Sequence, residues 1–267
     1  MQNGTTLTVD LRSSTELSAF YRGVYERELM PICTSLLDPD AVFIDVGANI
    51  GFYTTAAGKL ICQSRGSGIV HAFEPHPGNF ARLAHNVSTN SLTERCMLHE
   101  CGLSDADAEM ELVLRDDFKS GSTSGNASIA TSVGFDGGFE RMRIEVTPLD
   151  RFWSANGLCG RRRVSFIKVD IEGHEDFFLR GARAVIESNR PIMLLEINQP
   201  YYRARGVDVD TVVGAALPEN YGLFVSRGKV LKSLRKLSEA GRVGNVLLIP
   251  CERLEWARER CPISLDK

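Results

Sequence analysis

Four acidic residues of the 267-residue chain lie where apolar, strand-like segments end: Asp45, Glu74, Asp170 and Glu196. Carboxylates in such places can bind ligand hydroxyls, hold cations or accept protons. The carboxyl ends of parallel strands meet at one edge of an open sheet, where its ligands bind. We therefore expect these four side chains to surround one binding cleft.

A glycine turn follows the first of these acids. The apolar run 41–44 leads through Asp45 to Gly47 and Gly51, and residues 52–57 can wind into a helix. Glycines let backbone N–H groups approach a ligand closely at a helix N-terminus. This strand–turn–helix pattern predicts a site for an adenine-containing cofactor.

The turn favours S-adenosylmethionine over NAD. A dinucleotide site needs the pattern G-x-G-x-x-G, but Asn49 stands where the middle glycine would be. S-adenosylmethionine has no pyrophosphate, and Glu74 would accept hydrogen bonds from both of its ribose hydroxyls. Asp45 would meet its ammonium end through a water or a backbone contact. The amides of Gly47 and Asn49 would lie under its ribose and carboxylate.

The adenine end of the cofactor would lie beyond the next strand, predicted over 96–101. There the carboxylate of Asp105 or the hydroxyl of Ser104 could accept a hydrogen bond from the adenine amino group. A cleft rich in carboxylates also suits the positive charge of a sulfonium.

The segment 170–175 holds the candidate catalytic residues Asp170, Glu172 and His174. His174 has an ordinary pKa near 6.5, which suits a proton acceptor at neutral pH, although a residue there can also simply pack or cap a helix. Glu172 would cap the helix or bind substrate hydroxyls. Glu175 is expected to be structural, because an acid in a first turn favours the helix dipole.

A metal-assisted mechanism is the alternative. Asp170, Glu196 and Asn198 offer hard oxygen ligands of the kind that Mg²⁺ or Ca²⁺ accepts. Such an ion would lower the pKa of an acceptor hydroxyl. Glu196 and Asn198 could equally bind substrate, and we favour this metal-free interpretation.

Apolar strands and amphipathic helices alternate along the chain, which predicts an α/β fold with helices on both faces of a mostly parallel sheet. A helical stretch over 14–37, divided by Pro31, comes first. The predicted strands are 42–46, 69–73, 96–101, 164–170, 192–197, 222–226 and 245–249. The predicted helices are 50–62, 77–90, 175–188 and 208–217.

Two stretches break this alternation. Residues 108–114 and 141–147 have the two-residue period of antiparallel strands. The Ser- and Gly-rich segment 119–138 between them is predicted to form a lid, with Asn126 over the active site and able to bind substrate.

Three segments of the chain resemble the FkbM-type methyltransferases: Asp45–Gly51, Phe73–Pro77 and the more specific Lys168–Glu175. Thr147–Asp150 and Pro191–Glu196 are also similar, so the resemblance covers about residues 40 to 200. It implies a class I, Rossmann-like fold with a seven-stranded sheet, and O-methylation by S-adenosylmethionine, commonly of sugars or natural products. It also implies that Glu28 closes over the cofactor.

These patterns predict a helical extension over 1–38 and a methyltransferase domain over 39–267, with a β insertion at about 106–147. Acceptor choice is expected to reside in 119–138 and 207–267. Two other functions stay open: an NAD-linked oxidoreductase, and a non-catalytic module that binds nucleosides. Binding of NAD without S-adenosylhomocysteine would favour the first of these.

The composition is that of an ordinary globular protein. A net charge of −3 gives no electrostatic case for nucleic acid as a partner. No apolar stretch approaches the roughly 20 residues of a membrane span, and the N-terminus lacks the order of a signal peptide. Seven cysteines without CxxC spacing suggest reduced thiols, so we expect a cytoplasmic protein. The oligomeric state, including a homodimer, stays open.

Overall fold

The computed structural model describes residues 1–114, 127–130 and 133–264. The strands are β1 (Val42–Val46), β2 (Ile69–Phe73), β3 (Cys96–His99), β4 (Gly102–Leu103), β5 (Ala108–Leu114), β6 (Ala127–Ile129), β7 (Glu140–Thr147), β8 (Val164–Val169), β9 (Ile192–Asn198), β10 (Tyr221–Arg227), β11 (Val230–Leu234), β12 (Val243–Pro250) and β13 (Ile263–Ser264). The helices are α1 (Ser14–Arg22), α2 (Leu29–Ser35), α3 (Phe52–Gln63), α4 (Pro77–Thr89), α5 (Val133–Asp136), α6 (Leu149–Ala155), α7 (Glu175–Gly181), α8 (Arg183–Asn189), α9 (Gln199–Ala204), α10 (Val209–Ala216) and α11 (Leu254–Arg258). Two 3₁₀ turns span Leu237–Ala240 and Cys251–Arg253.

All seven predicted strands belong to the main sheet. Within the described residues this sheet has nine strands, in the order β13-β11-β10-β12-β9-β8-β1-β2-β3. Strands β9, β8, β1, β2 and β3 run parallel, whereas β12 is antiparallel to both of its neighbours. The predicted α/β class is therefore confirmed. The strand count differs because β11 and β13 extend the edge beyond β10.

Helices cover both faces of the sheet, because the central strands have apolar side chains on each face. Phe43 and Phe166 face one buried cluster, and their neighbours Ile44 and Ile167 face the other. Helices α3 and α4 cover the first face, and α7 and α8 cover the second. This arrangement leaves the carboxyl ends of the strands open at one edge.

Two helical stretches are divided at residues that the prediction did not give. The N-terminal helical stretch breaks at Gly23, which has a left-handed φ of 65°, while Pro31 lies in the first turn of α2. Proline is tolerated there because first-turn amides have no partner within the helix. The helix predicted over 175–188 is divided at Ala182. Next to this break Gly181 packs so closely that a Cβ would lie 1.9 Å from the carbonyl oxygen of Ser104.

The predicted insertion forms a small second sheet with the order β4-β7-β5-β6 among the described residues. The antiparallel pairing of β5 with β7 confirms the two predicted strands, from Ala108 opposite Val146 to Leu114 opposite Glu140. Strand β6 comes from the segment predicted as a lid and pairs with β5. Asn126 lies outside the described residues, so its role stays a prediction.

No helix in the described parts of the chain combines the length and the apolar character needed to cross a membrane.

Helix α8 receives its N-terminal cap from another helix. The N-cap residue Ala182 has no polar side chain, and the carboxylate of Asp150 instead accepts hydrogen bonds from the amides of Ala184 (2.8 Å) and Val185 (2.9 Å). Asp150 belongs to Thr147–Asp150, one of the segments that resemble the FkbM-type enzymes. These two hydrogen bonds of Asp150 join α6 to α8.

We expect Asp150→Ala to lower the free energy of unfolding by about 1 kcal/mol, because two helix N-terminal amides lose their acceptor. Urea denaturation measures this change. Glu187→Ala, which removes an exposed ion pair on the same helix, is the control and should change stability by less than about 0.5 kcal/mol. Equal effects of the two substitutions would contradict the capping role.

Candidate active site

The glycine turn after β1 is held by its neighbours on both sides. The amides of Gly47 and Ala48 both donate to the Phe73 carbonyl at 3.0 Å, and Lys168 Nζ donates to the Gly47 carbonyl at 2.8 Å. Gly47 has φ 71°, and a Cβ there would lie 2.0 Å from the Asp170 carbonyl oxygen. Only glycine fits between β1 and the end of β8.

Gly51 begins helix α3 with a left-handed φ of 95°, and a Cβ there would lie 2.6 Å from a methyl of Leu83. Because Gly51 has no side chain, α3 and α4 can pack together behind the turn. Asn49, in the position where a dinucleotide site has its middle glycine, also has a positive φ of 51°. Its buried Oδ1 has no hydrogen-bond partner in the described structure.

Glu74 lies buried beside this turn. Its carboxylate accepts hydrogen bonds from the amides of Asn49 (2.8 Å) and His76 (3.0 Å). Burial raises the pKa of Glu74 to about 7, despite these hydrogen bonds. The turn amides of Gly47 and Asn49, predicted to face the cofactor, therefore both have acceptors within the protein.

Two amide oxygens near Glu74 offer further acceptors. Asn49 and Asn79 line the same cleft as Glu74, and the Oδ1 atoms of both are buried without a partner among the described residues. Buried acceptors of this kind are costly unless a donor reaches them. The recess thus fits a ligand that brings several hydrogen-bond donors, such as a ribose diol or an amino group.

Lys168 is a buried cation among acids. Its Nζ lies 3.6 Å from Asp45 Oδ1 and 3.4 Å from Asp170 Oδ2. Burial alone would lower the pKa of Lys168, but Asp170, Asp45 and more distant carboxylates outweigh burial and raise it. Asp45 is fully buried, accepts a hydrogen bond from Thr54 (2.6 Å) and does not line the cleft. Its predicted contact with a cofactor ammonium stays a prediction.

Three carboxylates, which we name the acid trio, meet at the strand ends: Asp170, Glu172 and Glu196. One oxygen of each lies within 4.8 Å of the others. Repulsion from Asp170, together with burial, raises the pKa of Glu196 well above its usual range. The predicted metal set included Asn198, but its amide donates to Glu172 (2.8 Å), and Glu172 takes its place in the trio.

His174 precedes α7 and is 6% exposed. Its Nε2 lies 2.9 Å from Ser104 Oγ, and its ring stacks on Phe177 at 4.3 Å. Burial lowers the pKa of His174 to about 4, so the ring is neutral at pH 7 and a weaker base than a free histidine. Asp105 forms an ion pair with Arg180 (3.2 Å), and neither Ser104 nor Asp105 lines the cleft beside Glu74. Their assignment to the adenine amino group stays a prediction.

The N-terminal segment brings Glu26 to the site, a residue that the sequence analysis did not single out. Glu26 accepts hydrogen bonds from Asn245 (3.1 Å) and from the Tyr53 hydroxyl, and burial raises its pKa. The predicted Glu28 is exposed and accepts from the Gly228 amide at 3.0 Å. The sequence signal that could have pointed to Glu26 is Gly23, because the break there lets the chain turn inward before Tyr25.

A cleft joins these residues. It is bounded by the glycine turn, Glu74, the acid trio and His174 on one side. The insertion sheet forms the opposite wall, which includes Leu112, Ile129 and Val146. The space between these walls, about 1030 Å³, includes solvent at the open mouth of the cleft.

A family model described as the methyltransferase FkbM domain matches residues 45–231 of the chain. The chain belongs to the FkbM methyltransferase family. The matched range contains the glycine turn, Glu74, the acid trio and His174, whereas Glu26 lies before it. Membership of this family favours the methyl-donor interpretation of the cleft over NAD.

The chain is also similar to individual proteins. Methyltransferase 1 from Beauveria bassiana (strain ARSEF 2860) is 27% identical over 152 residues, which are 53% of this FkbM chain and 58% of that relative. Methyltransferase FkbM from Methylobacillus flagellatus KT has a TM-score of 0.47 at 21% identity, covering 85% of this chain and 47% of that chain. An O-methyltransferase from Bacillus cereus in complex with SAH has a TM-score of 0.44 at 9% identity, covering 83% and 78%. The FkbM chain thus spans little more than half of the curated relative.

Gly47 and Gly206 form a matched pair, because both have φ 71° but only Gly47 has atoms in the path of a Cβ. We expect Gly206→Ala to cost about 1 kcal/mol of stability from the left-handed backbone alone. Gly47→Ala should cost at least about 2 kcal/mol more, because the end of β8 must move. Urea denaturation of both variants tests this, and equal costs would show that the close approach to Asp170 is unimportant.

Proposed function

We propose that the chain is an S-adenosylmethionine-dependent methyltransferase that methylates a hydroxyl of a small molecule, such as a sugar or a natural product. The observation that carries this proposal is the recess of Glu74, Asn49 and Asn79 beside the glycine turn, in a chain of the FkbM family. We also propose a cytoplasmic location, which the seven free thiols support.

Glu74 would hold the ribose of the cofactor, because its carboxylate can accept hydrogen bonds from both hydroxyls. The unpartnered oxygens of Asn49 and Asn79 would accept from the remaining donors nearby. When bound, S-adenosylmethionine supplies a methyl group made electrophilic by its sulfonium. The acids around the cleft favour a ligand that carries positive charge, because Lys168 alone does not balance them.

The acid trio would receive the proton of the acceptor hydroxyl. Repulsion between Asp170 and Glu196 makes Glu196 a stronger base than an ordinary carboxylate, since its pKa is raised. Lys168 fixes Asp170 by their ion pair, and Asn198 fixes Glu172 by its hydrogen bond. These contacts hold the trio in place while Glu196 takes up the proton.

His174 would orient the acceptor. In the tautomer in which Ser104 donates to Asp105 (3.4 Å), the Nε2–H of His174 donates to Ser104, and Nδ1 is left as a hydrogen-bond acceptor. With a pKa near 4 the ring stays neutral at pH 7 and can accept a hydrogen bond from a substrate hydroxyl. This role is compatible with its position next to Glu172 in the cleft.

Cofactor affinity should depend on pH through Glu74. Because the pKa of Glu74 is about 7 in the free protein and ribose hydroxyls donate to the ionised form, affinity for S-adenosylhomocysteine should rise about tenfold from pH 6 to pH 8. Glu74→Gln should remove this rise and weaken binding at pH 8 by about 1.5–3 kcal/mol. Calorimetry measures both effects, with Glu28→Gln as the exposed control. An unchanged pH profile in Glu74→Gln would refute the ribose contact.

Turnover should depend on Glu196 more than on His174. We expect Glu196→Gln to lower methyl transfer to a panel of neutral sugars and phenols about 100-fold or more, as for loss of a general base, and to leave S-adenosylhomocysteine affinity nearly unchanged. His174→Ala should lower turnover less, since that side chain only orients the acceptor. Loss of turnover with EDTA and recovery with Mg²⁺ would instead show that the acid trio binds a metal.

A further inference from the structure

A second cleft opens beside the first, on the outer side of Glu172 and His174. Ile129, Glu172 and His174 line both clefts and so form the boundary between them. Beyond this boundary the second cleft is walled by Met110 and Ala130 of the insertion. A molecule in the second cleft would therefore reach the first one past the oxygens of Glu172.

The cation that lines the second cleft is already neutralised. Arg205 donates to both oxygens of Asp176 (2.7 and 2.9 Å) and to the Gly173 carbonyl (2.6 Å). Nearby Arg180 contacts Asp105 (3.2 Å) and Asp176 (3.3 Å). Both guanidinium groups are thus paired with carboxylates of the fold, which balance their charge.

The boundary itself is negatively charged. Glu172 belongs to the acid trio, and Asp170 and Glu196 lie within 4.8 Å of it. Lys168 is the cation paired with Asp170, and it is buried on the far side of the trio beneath the Gly47 carbonyl. A carboxylate or phosphate placed at this boundary would meet like charges at short range, which costs binding energy.

The rest of the second cleft is apolar. Met110, Ile129 and Ala130 supply a wall of aliphatic and thioether groups. Phe177 completes it, with His174 stacked at 4.3 Å and the Arg180 and Arg205 guanidinium groups 4.4 and 4.8 Å from the ring centre. These contacts fix the Phe177 ring, so that a ligand meets a preformed apolar surface.

We propose that the second cleft is the acceptor subsite, and that it takes an uncharged hydroxylated molecule with an apolar body and excludes acceptors that carry a carboxylate or phosphate. The apolar body lies against Met110, Ile129 and Ala130, and the reacting hydroxyl reaches past Glu172 at the boundary to Glu196 in the acid trio. This inference rests on the proposed methyltransferase function and adds the position and charge class of its acceptor.

The test uses two glycosides that differ by one charged group, 4-nitrophenyl β-glucoside and 4-nitrophenyl β-glucuronide. Calorimetry first establishes binding of S-adenosylhomocysteine, and each glycoside is then titrated into the loaded protein. The glucoside should bind at least tenfold more tightly than the glucuronide. Glu172→Gln should reduce the ratio of glucoside affinity to glucuronide affinity, because it removes one negative charge from the boundary.

Substitutions at Ala130 test the position of the subsite. Ala130→Trp fills the second cleft and should weaken glucoside binding at least tenfold, with S-adenosylhomocysteine affinity changed less than twofold. Glu109→Trp, an exposed position of β5 that lines neither cleft, is the control for the added indole and should change neither affinity. Met110→Trp, on the neighbouring strand, repeats the test if Ala130→Trp does not fold.

Three results would overturn the inference: glucuronide binding as tight as glucoside binding, undiminished glucoside binding in both tryptophan variants, or no binding of either glycoside to the loaded protein. Failure of the unmodified protein to bind S-adenosylhomocysteine would overturn the proposed function itself. That failure is visible in the first titration, before any glycoside is added.

Discussion

The active edge of the sheet depends on the buried ammonium of Lys168. It binds the carbonyl of Gly47, and it lies within ion-pair distance of Asp45 and Asp170. These contacts tie the turn after β1 to the end of β8 at the point where Gly47 leaves no room for a side chain. A charge this deeply buried is tolerated only because acids surround it. The geometry of the turn and the positions of Asp45 and Asp170 therefore depend on the same buried ammonium.

The elements around that constraint could be predicted because local physics decides them. Strands β1, β2, β8 and β9 are mostly apolar, as expected for strands buried on both faces, and an acid lies within the last three residues of each strand or directly after it. Helix α4 has a regular apolar stripe and a proline in its first turn. Glu74, Asp170 and Glu196 line one cleft because parallel strands share one carboxyl edge, whereas Asp45 is buried beside Lys168 and does not line it.

The remaining features depend on contacts between distant segments, which no local pattern encodes. Glu26 and Glu28 are two residues apart, yet Glu28 is exposed while Glu26 is half-buried, because Tyr53 and Asn245 provide its hydrogen bonds. Ser104 and Asp105 were placed by strand order alone, but the fold directs them toward His174 and Arg180. The histidine likewise looked like a base from its ordinary pKa, and its burial in the fold lowers that pKa.

The cleft has more acidic side chains than Lys168 can neutralise. This excess of negative charge links ligand binding to the protonation of the acids. Burial raises the pKa of Glu26 and Glu74, and repulsion from Asp170 raises that of Glu196. Glu74, with a pKa of about 7, is therefore partly protonated at neutral pH, and its proton compensates part of the negative charge in the free protein. A ligand that brings positive charge would compensate the same charge, so its binding and the release of protons are linked. An anionic ligand would require further proton uptake, so charge alone favours a cationic cofactor and opposes an anionic acceptor.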